Sequence, residues 1–121
     1  ENAIFNEIST RWFIGKNIDN YCPMGPYLAT VDEIANIKKS RVQSHINGEL
    51  RQDSIVKDLI FDIPTLISTI SKGMTLIPGD IIATGTPAGV GIGFKPPKFL
   101  KKGDICTLTI DGLGTLENPV G

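Results

Sequence analysis

The stretch RVQSHINGELRQDSI, residues 41–55, consists of two runs of alternating character joined by an Asn-Gly dipeptide. Val42, Ser44 and Ile46 alternate with Gln43, His45 and Asn47, and Leu50 and Gln52 continue the pattern beyond the dipeptide. A two-residue type I′ turn needs positive φ at both central positions, and Asn-Gly supplies it at the least cost. The stretch therefore predicts an antiparallel hairpin over 41–54 and commits the chain to an architecture rich in strands.

Moving toward the C-terminus, FDIPTLISTISKG (61–73) predicts a helix over 62–72. Asp62 is placed to cap it, Pro64 is tolerated in the first turn, and Gly73 stands where a helix commonly ends. Leu66, Ile67 and Ile70 form its expected apolar stripe. LIPGD (76–80) reads as a turn, IIAT (81–84) as a buried strand, and LKKGD (100–104) as another turn. ICTLTIDGLGTLENPV (105–120) reads as an alternating strand, a glycine-containing hairpin turn and a last short strand. Toward the N-terminus, YLATV (27–31) is strand-like, and DEIANI (32–37) suits a short helix capped by Asp32. GKNIDNYCPMGP (15–26) is dense in Gly, Pro, Asn and Asp and reads as an irregular loop. Residues 1–14, which end in Trp12-Phe13-Ile14, are expected to form a helical turn leading into it. The sum is a β-rich α+β chain with one substantial helix and no internal repeat.

Composition narrows the function. The 121 residues carry twelve basic and thirteen acidic side chains for a net charge of −1, which excludes a dominant footprint for nucleic acid or an anionic membrane. Hydrophobic residues at 40% and charged residues at 21% are the balance of an ordinary globular protein. No run reaches the roughly 18 apolar residues of a membrane span. Cys22 and Cys106 have neither zinc nor redox-pair spacing and read as free thiols of a reducing cytoplasm, with a disulfide the unsupported alternative. The chain opens on ENAIFNEIS without a methionine, the start expected of a piece of something longer.

The densest backbone signal is GDIIATGTPAGVGIGFKPP, residues 79–97. Gly89-x-Gly91-x-Gly93 superficially matches a dinucleotide fingerprint, but that fingerprint needs a helix opening at its last glycine. Phe94-Lys95-Pro96-Pro97 follows instead, and the double proline forbids such a helix. Two readings remain on the residues alone. The glycines are there for a turn, or Thr86 and the amides near Gly85 hold an anion or a developing oxyanion.

A resemblance favours the second. GDIIATGTPAGVG, with GKNIDNYCPMGP, INGELRQ, PPKFLKKGD and IDGLGTLENPV in this order and spacing, resembles the fumarylacetoacetate hydrolase family over about Trp12 to Val120. The likeness is to the C-terminal half to two-thirds of that family's catalytic domain, so 1–121 is expected to be the C-terminal portion of one such domain, part of a mixed β-sandwich roll. The resemblance implies cleavage of carbon–carbon bonds in 1,3-diketo acids, or isomerisation, tautomerisation or decarboxylation of 2-oxo acids. It also implies a divalent metal, Mg²⁺ first with Mn²⁺ or Ca²⁺ as alternatives, a small-molecule oxo-acid substrate, a homodimer, and a place in cytoplasmic aromatic catabolism.

Residue by residue, Lys16 of GKNID matches the family's active-site lysine, whose ammonium would neutralise substrate carboxylate or enolate oxygens. Thr86 matches the threonine of the TGTP loop, a donor to the substrate's carboxylate, and Gly85 offers a close backbone. Lys16 and Thr86 are then expected to face one cavity. Gln52 reads as a solvated strand residue, and His45 as a bland residue on the polar side of its strand. Tyr27 and Cys22 are candidates for the pocket wall, and Asp19 for a loop turn. No Glu-x-Glu metal pair occurs in residues 1–121, and neither Glu1 nor Glu7 is assigned as a ligand. The metal ligands are therefore expected upstream of Glu1, with this chain supplying the substrate-binding half of a site and inactive alone. Left exposed, its unpaired apolar surface should be large. The competing reading is a non-catalytic β-rich binding or scaffold domain whose glycine loop is architecture.

Overall fold

A computed structural model describes residues 17–121. Four strands form one antiparallel sheet in the order β2-β1-β3-β4, with β1 Arg41–Ile46, β2 Glu49–Ile55, β3 Ile105–Ile110 and β4 Gly114–Pro119. The β1–β2 hairpin is the one expected: Asn47 and Gly48 take φ of 51° and 81°. Asn47 also does work that its turn role does not announce. Its side chain donates to Asp104 Oδ1 and accepts from the Ile105 amide, both at 2.8 Å, so the turn is tied to the start of β3. The β3–β4 hairpin is likewise as expected.

Register sorts the side chains. Val42 lies opposite Ser54 and Ile110, and Ser44 opposite Gln52 and Leu108, so these residues share one face of the sheet. The other face is polar. There Thr107 donates to Glu117, Thr109 pairs with Thr115, and the Arg41 guanidinium grips the Asp53 carboxylate. His45 lies on that polar face, as expected. The alternation is broken once. Ser44 pairs with Gln52 but His45 with Leu50, which leaves Arg51 as the extra residue of a β-bulge. Leu50 and Gln52 consequently face opposite ways, where simple alternation would have aligned them.

Helix α1, Ile63–Ser71, begins where its cap dictates: Asp62 accepts from the Thr65 amide at 3.0 Å. Its inward stripe is Ile63, Leu66 and Ile70, while Ile67 is largely exposed. Turns at 76–80 and 100–104 form as expected, each closed by an aspartate that accepts from the backbone three residues earlier (Asp80 from Ile77, Asp104 from Lys101).

Three local expectations fail. Residues 81–84 pair with no described strand, and Ile81 is 68% exposed rather than buried. β-branched residues favour extended backbone, but only a neighbouring strand makes a ladder. Residues 27–31 form no strand for the same reason. The segment 32–37 is not a helix. Glu33 reaches back to the Thr30 amide and hydroxyl and closes a single turn, and the only helical residues nearby are the short 3₁₀ turn Ile37–Lys39.

Among the described residues no apolar residue is buried, whereas Ser40 and Ser44 are, each 6% exposed. Leu28, Val31 and Ile60 are more than 90% exposed. An apolar surface of this kind normally meets another surface. Both cysteines are free thiols, and burial pushes the Cys106 thiol upward. No described helix is long and apolar enough to cross a membrane.

Candidate active site

The loop 85–93 divides into two parts. At its far end it lies on the bulge of β2. A Cβ on Gly89 would stand 1.9 Å from the Arg51 carbonyl oxygen, and one on Gly91 2.3 Å from that of Lys98. Only glycine permits either approach. The short 3₁₀ turn Gly91–Gly93 follows, and no α-helix opens after it, which removes the nucleotide reading structurally as well. Phe94 underpins this end, with the Arg51 guanidinium 5.2 Å and the Lys98 ammonium 5.0 Å from its ring centre. Glu49 pairs with both cations, and the Lys98 contact holds its carboxyl below the usual range.

At its near end the loop is open. Gly85 has φ +106°, and a Cβ there would meet nothing within 4 Å among the described residues. Gly85, Thr86, Pro87 and Ala88 form one rim of a cavity of about 770 Å³. Its far walls are mainly apolar side chains of α1, the sheet and the 55–61 connection, among them Leu66, Val42, Ile110 and Phe61, with Ser54 and Asp58 the polar members. The chain thus delivers the loop to a pocket rim as expected, though without the buried strand foreseen as the means.

What secures the open end is Gln52. Its Nε2 donates to Thr86 Oγ1 at 2.7 Å and to the Pro87 carbonyl at 2.9 Å, and its Oε1 accepts from the Ser44 hydroxyl at 3.0 Å. The expectation of a solvated strand residue is therefore corrected: Gln52 is half-buried and fully engaged. The signal that could have found it is its place opposite Ser44, on the hairpin face that turns away from the charged residues. Arg51 was missed as well, because a bulge leaves no mark in the periodicity that reveals strands.

Of the other candidates, Lys16 lies outside the described residues, and so does the expected helical turn of 1–14. Tyr27 and Cys22 do not line the cavity. The Tyr27 hydroxyl instead lies against Gly114, where a Cβ would come within 3.2 Å of it. Asp19 is an exposed turn residue, as expected. Among the described residues no three His, Cys, Asp or Glu side chains converge to hold a metal ion, so these residues do not fit a metal centre.

Residues 2–121 match the family described as fumarylacetoacetate (FAA) hydrolase C-terminal, and the chain belongs to that family. It is 52% identical over 127 residues to the oxaloacetate tautomerase YisK of Bacillus subtilis, covering 98% of this chain and 42% of that protein. It superposes with a TM-score of 0.86 and 46% identity on the fumarylacetoacetate hydrolase of the psychrophile Exiguobacterium antarcticum, over 89% of this chain and 39% of that one. The maleylpyruvate hydrolase of Sphingobium sp. SYK-6, solved with manganese(II) and pyruvate, matches at 40% identity and a TM-score of 0.75, over 84% of this chain and 36% of that one. The chain thus spans about two-fifths of the length of the relatives it matches.

Proposed function

We propose that this chain is the C-terminal portion of a single fumarylacetoacetate hydrolase-type catalytic domain, a hydrolase or isomerase acting on 2-oxo or 1,3-diketo acids, and that it supplies the substrate-carboxylate side of the site. One observation carries the reading. Gly85 and Thr86 present open backbone and a hydroxyl at the rim of a cavity, in a loop whose Gly89 and Gly91 are pressed against protein backbone. Open space alone is also what the turn glycine Gly48 has, so the weight falls on the place of Gly85 beside the Thr86 hydroxyl on the cavity rim. Family membership gives that opening a chemistry: the relatives are named for oxo acids, and a carboxylate is the group that a threonine hydroxyl and bare amides bind well.

In this reading Thr86 orients the substrate's carboxylate, Gly85 lets the backbone approach it, and Lys16 counters the negative charge that builds on the substrate's oxygens. The protein uses a divalent metal, with Mg²⁺ and Mn²⁺ the leading choices, whose ligands are not among the described residues. It is a cytoplasmic homodimer. The exposed Leu28, Val31 and Ile60 support an assembled state, since a bare apolar surface of this kind favours contact.

The test is direct. The full-length protein is supplied with Mn²⁺ or Mg²⁺ and assayed on oxaloacetate and on maleylpyruvate by their ultraviolet absorbance. Turnover of either that is abolished by a chelator and restored by metal is expected. A full-length, folded protein that neither binds nor turns over any oxo acid would leave the β-rich scaffold reading standing.

A further inference from the structure

We infer that Gln52 is a positioning residue that sets the direction of the Thr86 hydroxyl proton and commits it to the ligand. The inference rests on the carboxylate reading of the loop given above.

The argument is one of donors and acceptors. The Pro87 carbonyl is an acceptor only, so the Gln52 atom 2.9 Å from it must be the amide nitrogen. That fixes the side-chain amide without ambiguity. Oε1 then faces Ser44, whose hydroxyl must donate to it. The second Nε2 proton points at Thr86 Oγ1, 2.7 Å away. An amide N–H cannot accept, so Thr86 receives a bond from Gln52 and cannot return one. Its own proton is left over. Among the described residues no group accepts it, and Thr86 lies on the cavity rim beside Gly85, whose surroundings are open.

A hydroxyl in water points either way. Here one lone pair is occupied from the protein side, and the proton is driven toward the cavity. The donor chain therefore runs Ser44 to Gln52 to Thr86 to ligand, beginning at one of the two buried residues. A site built this way favours an acceptor without a proton of its own, such as a carboxylate or enolate oxygen, over a neutral hydroxyl or amide. Two features of the fold make the alignment possible. The bulge at Arg51 turns Gln52 to the face shared with Ser44, and Gly89 lets the loop settle on β2 close enough for Gln52 to reach it.

The experiment uses the full-length protein with Mn²⁺, and pyruvate as the probe, with affinity read by titration calorimetry. Thr86→Val is expected to weaken pyruvate binding roughly tenfold, the scale of one lost bond to a charged acceptor. Gln52→Met, similar in length but without donors, is expected to cost most of the same factor. Because Gln52 acts through the Thr86 hydroxyl, the double variant is expected to bind no more weakly than Thr86→Val alone. With the substrate that the protein turns over, both single variants should raise KM more than they lower kcat. Gln52→Glu keeps the shape but replaces the donor by an acceptor that draws the Thr86 proton inward. It is expected to bind more weakly than wild type by a larger factor than Gln52→Met, and it carries the test by itself if Gln52→Met does not fold. The outcomes separate the two readings. If Thr86→Val binds pyruvate like wild type, the carboxylate cradle falls and this inference falls with it. If Thr86→Val binds weakly while Gln52→Glu binds like wild type, or if the losses multiply in the double variant, the cradle stands and the positioning role of Gln52 is overturned.

Discussion

Gly85 and Gly89 stand four residues apart in one loop and share the same φ of +106°, yet their surroundings are opposite. Among the described residues nothing crowds Gly85, whereas the Arg51 carbonyl stands against Gly89. Two explanations for a glycine-rich loop, architecture and ligand approach, therefore divide along it: packing accounts for Gly89, and Gly85 is left for the proposed ligand. The pressed half anchors the loop to the bulge of β2 and to the backbone at Lys98. The open half is what that anchorage presents. Rigidity at one end is the condition for exposing bare backbone at the other, because a mobile loop could not hold Thr86 against Gln52.

The shared φ makes the pair a controlled experiment. Alanine at either position bears the same backbone penalty, roughly 1–3 kcal/mol for a non-glycine residue in that region. Only Gly89→Ala adds a collision with backbone that cannot rotate away. Denaturant unfolding of the full-length protein should show Gly89→Ala less stable by about 4 kcal/mol or more, if it folds at all, with Gly91→Ala next. Gly85→Ala should lose only the backbone penalty while losing oxo-acid affinity. Equal stability losses at 85 and 89 would break the comparison.

The next largest effect falls on Lys16. In the full-length protein Lys16→Ala is expected to lower kcat by roughly a hundredfold if the lysine has its proposed role, because an ammonium's charge matters most as negative charge develops. Thr86→Val should mainly raise KM. Steady-state kinetics on the same substrate reads both. A Lys16→Ala variant with unchanged kcat would remove the lysine from the site and leave the open half of the loop as a binding surface only.

The hairpins and the helix were legible because their signals are local. Asn47-Gly48 needs positive φ wherever it sits, and Asp62 with Pro64 marks a helix start without reference to anything distant. The misses share a cause in long-range partners. Residues 81–84 have the composition of a strand, but composition does not say whether a neighbour is there to pair. At Gln52 the residue type gave no warning. Its role depends on Ser44, eight residues away across the turn, and on a loop that starts more than thirty residues later. The bulge at Arg51 is invisible to periodicity for the same reason, being a property of two strands in register. The glycine loop itself was visible, but which glycines touch protein and which face space is settled only by packing.

The smallest expected effect concerns the carboxylates that flank the two halves of the loop. Asp62 caps α1, the helix lining the open cavity, and its bonds from Thr65 hold its carboxyl below the ordinary value. Glu49 braces the pressed end, and its contact with Lys98 lowers it too. For a group whose folded pKa is depressed, the associated stability is present above the unfolded value and is lost as pH falls through the folded one. Both contributions should therefore be complete at neutral pH and should fade below about pH 4, where free carboxyls begin to protonate. Both groups are solvent-exposed, so the changes in Tm will be modest and will shrink further in high salt. Asp62→Asn isolates one of them, because asparagine still caps a helix but carries no charge. Thermal melts across pH should show Asp62→Asn slightly less stable than wild type at pH 7, with the two curves converging in acid. Glu49→Gln should do the same at the other end of the loop. If Glu49→Gln lowers Tm without changing pyruvate affinity while Asp62→Asn changes neither by much, the pressed end is a support and the open end is the site. A Glu49→Gln variant that instead loses pyruvate binding as completely as Thr86→Val would mean that the two halves of the loop act as a single unit.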